Sequence, residues 1–371
     1  MKKHKLKVAA VGDIHLGHPN TTTREIIANL RKAFPDSAET GTLDLILLEG
    51  DVFDRLLTLP DGNSFEIKGW INNFLRMCKR RNIVVRVLEG TPSHDWNQSR
   101  LFISCNEDGE IGADVKHVTD LSIEYLEQFD STILYVPDEW EAEPDETWRQ
   151  VNVLLKENFI TKVDFALMHG SFEYQLPAHV KLPSHTAERY LSIVKHYIFI
   201  GHIHRHTRMD RILAAGSFDR LAHGEEEPKG HLRVTINDGL GDEIVFVENT
   251  GAKIYKSYDC TGLPIEAALS KLDAVELLPD NSYIRIIAAA EDPILTGLDT
   301  LRMKFPLMCW SSKVSTRSVS GKEMLVDMRS KYTGLRIDEK NLPALLEARL
   351  RNKVEDPTLL AACLELLKGV L

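Results

Sequence analysis

Five short stretches of this 371-residue chain carry metal-ligand side chains just where an apolar run stops. They are Asp13-Ile14-His15, Gly50-Asp51-Val52-Phe53-Asp54, Ser93-His94-Asp95, His169-Gly170 and Gly201-His202-Ile203-His204. Aspartate and histidine together offer hard oxygen and borderline nitrogen donors, a mixture that suits manganese, iron or zinc better than calcium or magnesium alone. An isolated Asp-x-His is ordinarily a turn aspartate and a surface histidine. Gly-His-x-His sets two imidazoles on the same side of an extended segment. Five such stretches in one chain point to a metal centre whose candidate ligands are Asp13, His15, Asp51, His169, His202 and His204.

Each stretch follows a run that reads as a buried strand: residues 6–11, 43–48, 83–88, 163–168 and 197–200. The polar residues are therefore expected at the carboxyl edge of one sheet, where open α/β sheets bind ligands. Amphipathic helical stretches at 23–34, 66–80 and 145–158 alternate with the strands, which predicts α/β layers over residues 1–250. Strands at 211–215, 231–236 and 243–247 suggest a second sheet packed on the first. The expected architecture is a two-sheet sandwich flanked by helices.

A strand, helix, strand, helix pattern over 253–304 marks a small α+β capping domain, taken as 251–332. A C-terminal helical segment, 333–371, has leucine-rich faces over 341–353 and 357–368. With 43% hydrophobic residues the chain can bury a large core, and its length exceeds one usual domain. No apolar run reaches the roughly 18 residues of a membrane span, and a cytoplasmic address is expected. The five cysteines form no CxxC pair, which argues against a thiolate zinc site or a disulfide framework. A net charge of -10 weighs against gripping DNA through an overall positive surface.

With these motifs in view, the chain resembles the calcineurin-like metallophosphoesterases, whose pattern runs Asp-x-His, Gly-Asp-x-x-Asp, Gly-Asn-His-Asp/Glu, His, Gly-His-x-His. Within them, Asp13 to Gly17, Gly50 to Asp54 and the stretch Gly216-Ser217 through Arg220, Gly224-Glu225 and Pro228-Lys229-Gly230 are similar to SbcD-type repair exonucleases and their phage relatives. The resemblance implies two divalent cations, manganese first, with magnesium, iron or zinc as alternatives. Asp13, His15 and His204 would hold one, His169 and His202 the other, and Asp51 would bridge. Such a pair can hold a phosphate oxygen and acidify a water for in-line attack at neutral pH. His94 would stabilise the transition state or protonate the leaving oxygen. Asp54 would orient a ligating imidazole, and Asp95 could do the same for His94. His18 and His206 adjoin ligating segments. Arg55, Gln98 and Arg100 could face a phosphodiester backbone.

One departure concerns the family's amide ligand, since this chain reads Gly90-Thr91-Pro92-Ser93-His94-Asp95. Either Ser93 takes the place of that asparagine, or the loop is longer and Thr91 aligns with it. The resemblance further implies DNA as substrate and a homodimer within a heterotetramer, with an SMC-like ATPase of the SbcC type docked on the C-terminal helices. No membrane partner is expected. Two alternatives stand beside this reading: a small-molecule metallophosphatase or cyclic-nucleotide phosphodiesterase, and a non-catalytic scaffold for the ATPase.

Overall fold

A computed structural model describes residues 5–58, 62–177, 180, 182–237 and 241–315. The strands are β1 (Lys5–Val11), β2 (Leu45–Leu48), β3 (Val84–Leu88), β4 (Val115–Val118), β5 (Ser122–Leu126), β6 (Ser131–Val136), β7 (Val163–His169), β8 (Val194–Gly201), β9 (Thr207–Met209), β10 (Ile212–Ala214), β11 (Gly230–Asn237), β12 (Glu243–Glu248), β13 (Tyr255–Asp259), β14 (Tyr283–Ala288) and β15 (Cys309–Val314). The helices are α1 (Thr23–Ala33), α2 (Asn63–Arg81), α3 (Pro92–Asp95), α4 (Leu101–Asp108), α5 (Pro144–Glu157), α6 (Ala187–Ile193), α7 (Ile265–Leu272), α8 (Pro293–Thr296) and α9 (Leu298–Lys304). No helix among the described residues is long and apolar enough to cross a membrane.

Alternation along the strands builds the layers. In the first sheet, ordered β12-β11-β1-β2-β3-β4, Ala9, Val11, Ile46, Leu48, Val85 and Val87 pack with α1, α2 and α4. Their neighbours in sequence, Val8, Ala10, Leu45, Leu47 and Val84, turn to the opposite face. There they meet Ile133, Tyr135, Phe165, Leu167 and Phe199 of the second sheet, ordered β5-β6-β7-β8-β10-β9. On that sheet's outer face Leu134, Val136, Ala166, Met168 and Ile198 pack with α5 and α6. The result is a helix, sheet, sheet, helix sandwich, with each buried aliphatic side chain contributing about 1.5–3 kcal/mol.

Local signals set the helix ends. The Thr22 hydroxyl accepts the Glu25 N–H at 3.4 Å while the Glu25 carboxylate accepts the Thr22 N–H at 3.1 Å, a reciprocal cap for α1. Helix α2 stops at Asn82, which takes the left-handed conformation (φ 54°) that asparagine tolerates better than most residues.

Two expectations are corrected. The five ligand-bearing strands do not share one sheet: β1, β2 and β3 lie in the first, β7 and β8 in the second. Nor do β10, β11 and β12 form the second sheet. Strand β11 pairs antiparallel with β1, from Lys5↔Asn237 to Ala10↔Leu232, and carries β12 with it, whereas β10 joins β8. Strand β1 had one edge left open by its parallel neighbour β2, and Leu232, Val234 and Ile236 bring a matching apolar face to that edge.

Beyond the sandwich, β13 and β14 run parallel and join β15 in a three-stranded sheet with its own apolar core around Tyr258, Leu272, Ile284, Ile286 and Leu301. The helix expected over 293–304 is two helices parted at Gly297. The unit Met1–Ala288 with Asp292–Lys313 is compact and includes this small sheet. The Lys253 ammonium, 2.9 Å from Glu25, and the Tyr255 hydroxyl, 3.4 Å from Thr21 Oγ1, tie the small sheet to α1 and the loop before it. The helices expected over 341–353 and 357–368 lie outside the described residues.

Burial in this core makes a pH-dependent contribution to stability. His231 on β11 is 1% exposed, its ring 4.9 Å from that of Phe34, and burial with help from the Arg233 charge pushes it down to about 3. The unfolded chain therefore binds a proton that the folded one refuses between about pH 6.5 and 3, and stability is lost as pH falls through that window. His231→Gln is expected to remove roughly 2–3 kcal/mol of the acid-induced loss at pH 4, read as the difference between wild-type and variant denaturant unfolding at pH 7 and pH 4.

Candidate metal centre

The carboxyl ends of β1, β2, β3, β7 and β8 meet at one end of the two sheets. The loops after β1 and β2 are zipped by their main chains. Asp13 N–H donates to Gly50 O (3.1 Å), Ile14 and His15 N–H to Asp51 O (2.9 and 3.0 Å), and Leu16 N–H to Val52 O (2.8 Å). In these loops Asp13, His15 and Asp51 adopt positive φ (48°, 55° and 48°), as does His202 after β8 (98°). Left-handed backbone costs an L residue roughly 1–2 kcal/mol, and such strain gathers at functional sites.

Close approach of bare main chain brings the two sheets together. A Cβ on Gly50 would sit 2.4 Å from His169 Nδ1 and 2.7 Å from the Gly90 Cα. One on Gly90 would sit 2.1 Å from the Asp51 nitrogen. No larger residue fits at either place. Two hydrogen bonds then cross between sheets: His202 N–H donates to the Asp13 carboxylate (2.9 and 3.1 Å), and His169 Nδ1 donates to Glu49 O (2.5 Å).

Side chains gather into adjoining groups. Asp13, His15 and His204 present ligand atoms within 4.8 Å of one another, as do Asp51, His169 and His202. A third triplet, His15, Asp54 and His94, shares His15 with the first. Asp51 lies between, with Oδ1 3.4 Å from His169 Nε2 and Oδ2 3.9 Å from His15 Nε2. Burial would raise the Asp51 carboxyl, yet the His169 and His15 rings and the Thr91 N–H hold it below the usual carboxylate range.

Hydrogen bonds to Nδ1 orient three of the imidazoles. His15 Nδ1 donates to Asp54 Oδ1 (3.1 Å), His204 Nδ1 to Glu225 Oε1 (2.8 Å) and His169 Nδ1 to a main-chain carbonyl. In each neutral ring Nε2 is then the lone-pair atom facing the cluster; burial would lower His169 and His204, but Asp51 and Asp13 raise the first and Glu225 and Asp13 the second above the ordinary imidazole range. His15 Nε2 and His204 Nε2 face each other at 3.1 Å. Two ring nitrogens at that distance, beside the Asp13 carboxylate, can share either a proton or a metal ion between them. The donor set fits a divalent metal.

Asp54 thus serves as the acceptor that orients His15, and its main-chain carbonyl accepts the Nδ1–H of His94 (2.9 Å). The His94 Nε2 is left free of that bond, with its ring 5.0 Å from that of His15. Asp95 does not take up that orienting part: its fully buried carboxylate accepts the N–H groups of Phe53 (2.9 Å) and Gly90 (2.8 Å), tying the second and third loops together.

Of the two candidates for the missing amide, the structure brings Thr91 into the cluster and leaves Ser93 outside. Thr91 Oγ1 is 3.3 Å from Asp51 Oδ2, 3.5 Å from His169 Nε2 and 3.3 Å from His202 Nδ1. Ser93 is exposed, because Pro92 starts the short helix α3 at Thr91 and turns the following residue outward. Arg55 Nε donates to Gly17 O and Gln98 Nε2 to Arg55 O, so both brace these loops. His18 Nδ1 accepts main-chain N–H groups of Asn20 and Thr21, and His206 stacks on Phe246 (4.4 Å).

Two carboxylates took no assigned part in the sequence reading. Glu225 orients His204. Burial would raise its carboxyl, but the His204 N–H, the Lys229 ammonium and the Leu221 N–H outweigh that and hold it at about 2. Lys229, 1% exposed, also donates to His204 O at 2.7 Å. Asp138, after β6, has Oδ2 3.0 Å from Thr91 Oγ1 and 3.5 Å from His202 Nδ1. The Gly224-Glu225 pair had at least a motif to mark it. Asp138 had none.

No protein-family profile matches this chain, and no curated protein does. Among solved structures, the crystal structure of TT1561 of Thermus thermophilus is similar at 12% identity and a TM-score of 0.38, over 66% of this chain and 99% of that one. A second crystal structure gives 0.39 at 12% identity, over 66% of this chain and 100% of the other. Similarities of this depth carry no argument about function.

Proposed function

We propose that this protein is a dinuclear-metal-dependent phosphodiesterase that hydrolyses DNA, the nuclease subunit of an ATP-dependent repair or recombination complex. One observation supports the chemistry above the rest: Asp51 stands between two groups of donors, one oxygen toward His169 and the other toward His15. A carboxylate so placed suits two neighbouring cations. When bound, such cations polarise phosphoryl oxygens and make a water nucleophilic at neutral pH. Manganese is the first choice for this Asp/His set.

The chain's own residues would do the rest. His15, His204 and His169 offer Nε2 lone pairs because Asp54, Glu225 and Glu49 O occupy their Nδ1 protons. His94, with Nδ1–H bound to Asp54 O, keeps Nε2 available to hold a proton for the departing sugar oxygen. The DNA substrate, the SMC-like ATPase partner and the homodimer within a heterotetramer rest on the sequence resemblance, and the cytoplasmic location on the chain's apolar patterning. A small-molecule phosphatase is the second reading. In its favour is a cavity of about 530 Å³ beside His202 and Asp138, walled in part by Trp140 and Pro183.

The test is hydrolysis by the full chain with manganese. Release of nucleotides from labelled linear DNA, at a rate exceeding turnover of a chromogenic phosphomonoester, is the expected result. Turnover of the monoester with intact DNA would favour the phosphatase. Inertness toward both substrates, even with the ATPase subunit added, would leave the scaffold reading standing.

A further inference from the structure

Thr91 has one hydroxyl hydrogen to give, and two carboxylate oxygens and two imidazole nitrogens surround it. Asp51 Oδ2, His169 Nε2 and His202 Nδ1 lie at 3.3, 3.5 and 3.3 Å, and Asp138 Oδ2 is nearest of the four at 3.0 Å. Two of the four are carboxylate oxygens. Two carboxylates competing for a single hydrogen is a poor arrangement for a neutral polar network, and the mixed oxygen and nitrogen set is a good one around a cation. Asp138 is 11% exposed at its side chain, and its carboxylate lies against bare main chain: a Cβ on Gly170 would come 3.2 Å from Oδ1. Glycine at 170, directly after the ligand candidate His169, leaves room for the acid on the second sheet beside Thr91 and His202, at the edge of the Asp51, His169 and His202 group.

We infer that Asp138 is a ligand of the second divalent cation, with Asp51, His169 and His202, and that it supplies an anionic oxygen where the missing amide would have supplied a neutral one. The inference rests on the two-metal reading of this centre. Thr91 then acts on Asp138 through its hydroxyl, as a positioning residue. Two carboxylates on the second ion make its site oxygen-rich and doubly anionic, which suits manganese or magnesium better than zinc.

The experiment uses the full chain, freed of metal by chelation and titrated with MnCl2, with binding followed by calorimetry and by the electron paramagnetic resonance of unbound Mn(II). Wild type is expected to take up two ions. Asp138→Asn, which keeps the shape and removes the charge, is expected to hold the first ion as before and the second at least about tenfold more weakly. Thr91→Asn combined with Asp138→Ala restores an amide at the cluster and should recover part of that loss, which a merely structural part for Asp138 would not allow. Equal unfolding temperatures of metal-free wild type and Asp138→Asn show that the fold is intact. Two ions bound with wild-type affinity by both Asp138→Asn and Asp138→Ala would overturn the assignment while leaving the dinuclear reading in place. Wild-type protein that binds no manganese would overturn both.

Discussion

Asp51→Asn is expected to cut bound manganese to one ion or none per chain and to lower phosphodiester hydrolysis by about 10³-fold or more, the scale on which electrostatic groups at a reacting centre act. The size of the effect follows from position. Among the described residues, Asp51 is the one carboxylate whose two oxygens approach both His15 and His169, at 3.9 and 3.4 Å. Its Oδ1 also accepts the Thr91 N–H at 2.6 Å, so an amide nitrogen turned that way would oppose a donor. The substitution therefore weakens both ions together, whereas loss of His204 or His202 should weaken one. Metal analysis of the dialysed variant beside wild type checks this. A variant that retains two tightly held ions would show that Asp51 bridges nothing.

The second large effect is expected at His94, without loss of metal. His94→Ala should reduce the rate of DNA hydrolysis about 10²- to 10⁴-fold, the usual contribution of a positioned acid or base. Its Nδ1 is committed to Asp54 O, so only Nε2 can exchange a proton with substrate. If that proton goes to the departing sugar oxygen, a substrate whose leaving group needs no protonation should be spared. Hydrolysis of bis-p-nitrophenyl phosphate is expected to fall far less than hydrolysis of DNA. Equal losses on both substrates would move His94 from proton donor to stabiliser of phosphoryl charge, and loss of bound manganese in the variant would make it a ligand.

Much of this centre was legible because its donors sit at strand ends, where apolar periodicity locates them without any knowledge of tertiary pairing. Asp13, His15, Asp51, His169, His202 and His204 were all found that way, and the structure groups them in two triplets. Sheet membership was not legible. Strand β11 lies more than two hundred residues beyond its partner β1, and local patterning says nothing about which open edge a distant strand will choose. The choice between Thr91 and Ser93 hung on a single turn, since Pro92 directs the residues on either side of it in opposite directions. Asp138 was hidden for a simpler reason. A lone aspartate after a strand is an ordinary turn residue, and its distances to Thr91 and His202 are what set it apart.

The glycines at 50 and 90 have a consequence for the centre's tolerance of change. With main chain touching main chain between the loops after β2 and β3, the place of Asp51 is set by the skeleton of the fold and owes little to rotamer choice. Exchanging one donor side chain for another would perturb a single vertex of that frame. A methyl group added at Gly90 would instead press on the Asp51 main chain and carboxylate and displace that residue.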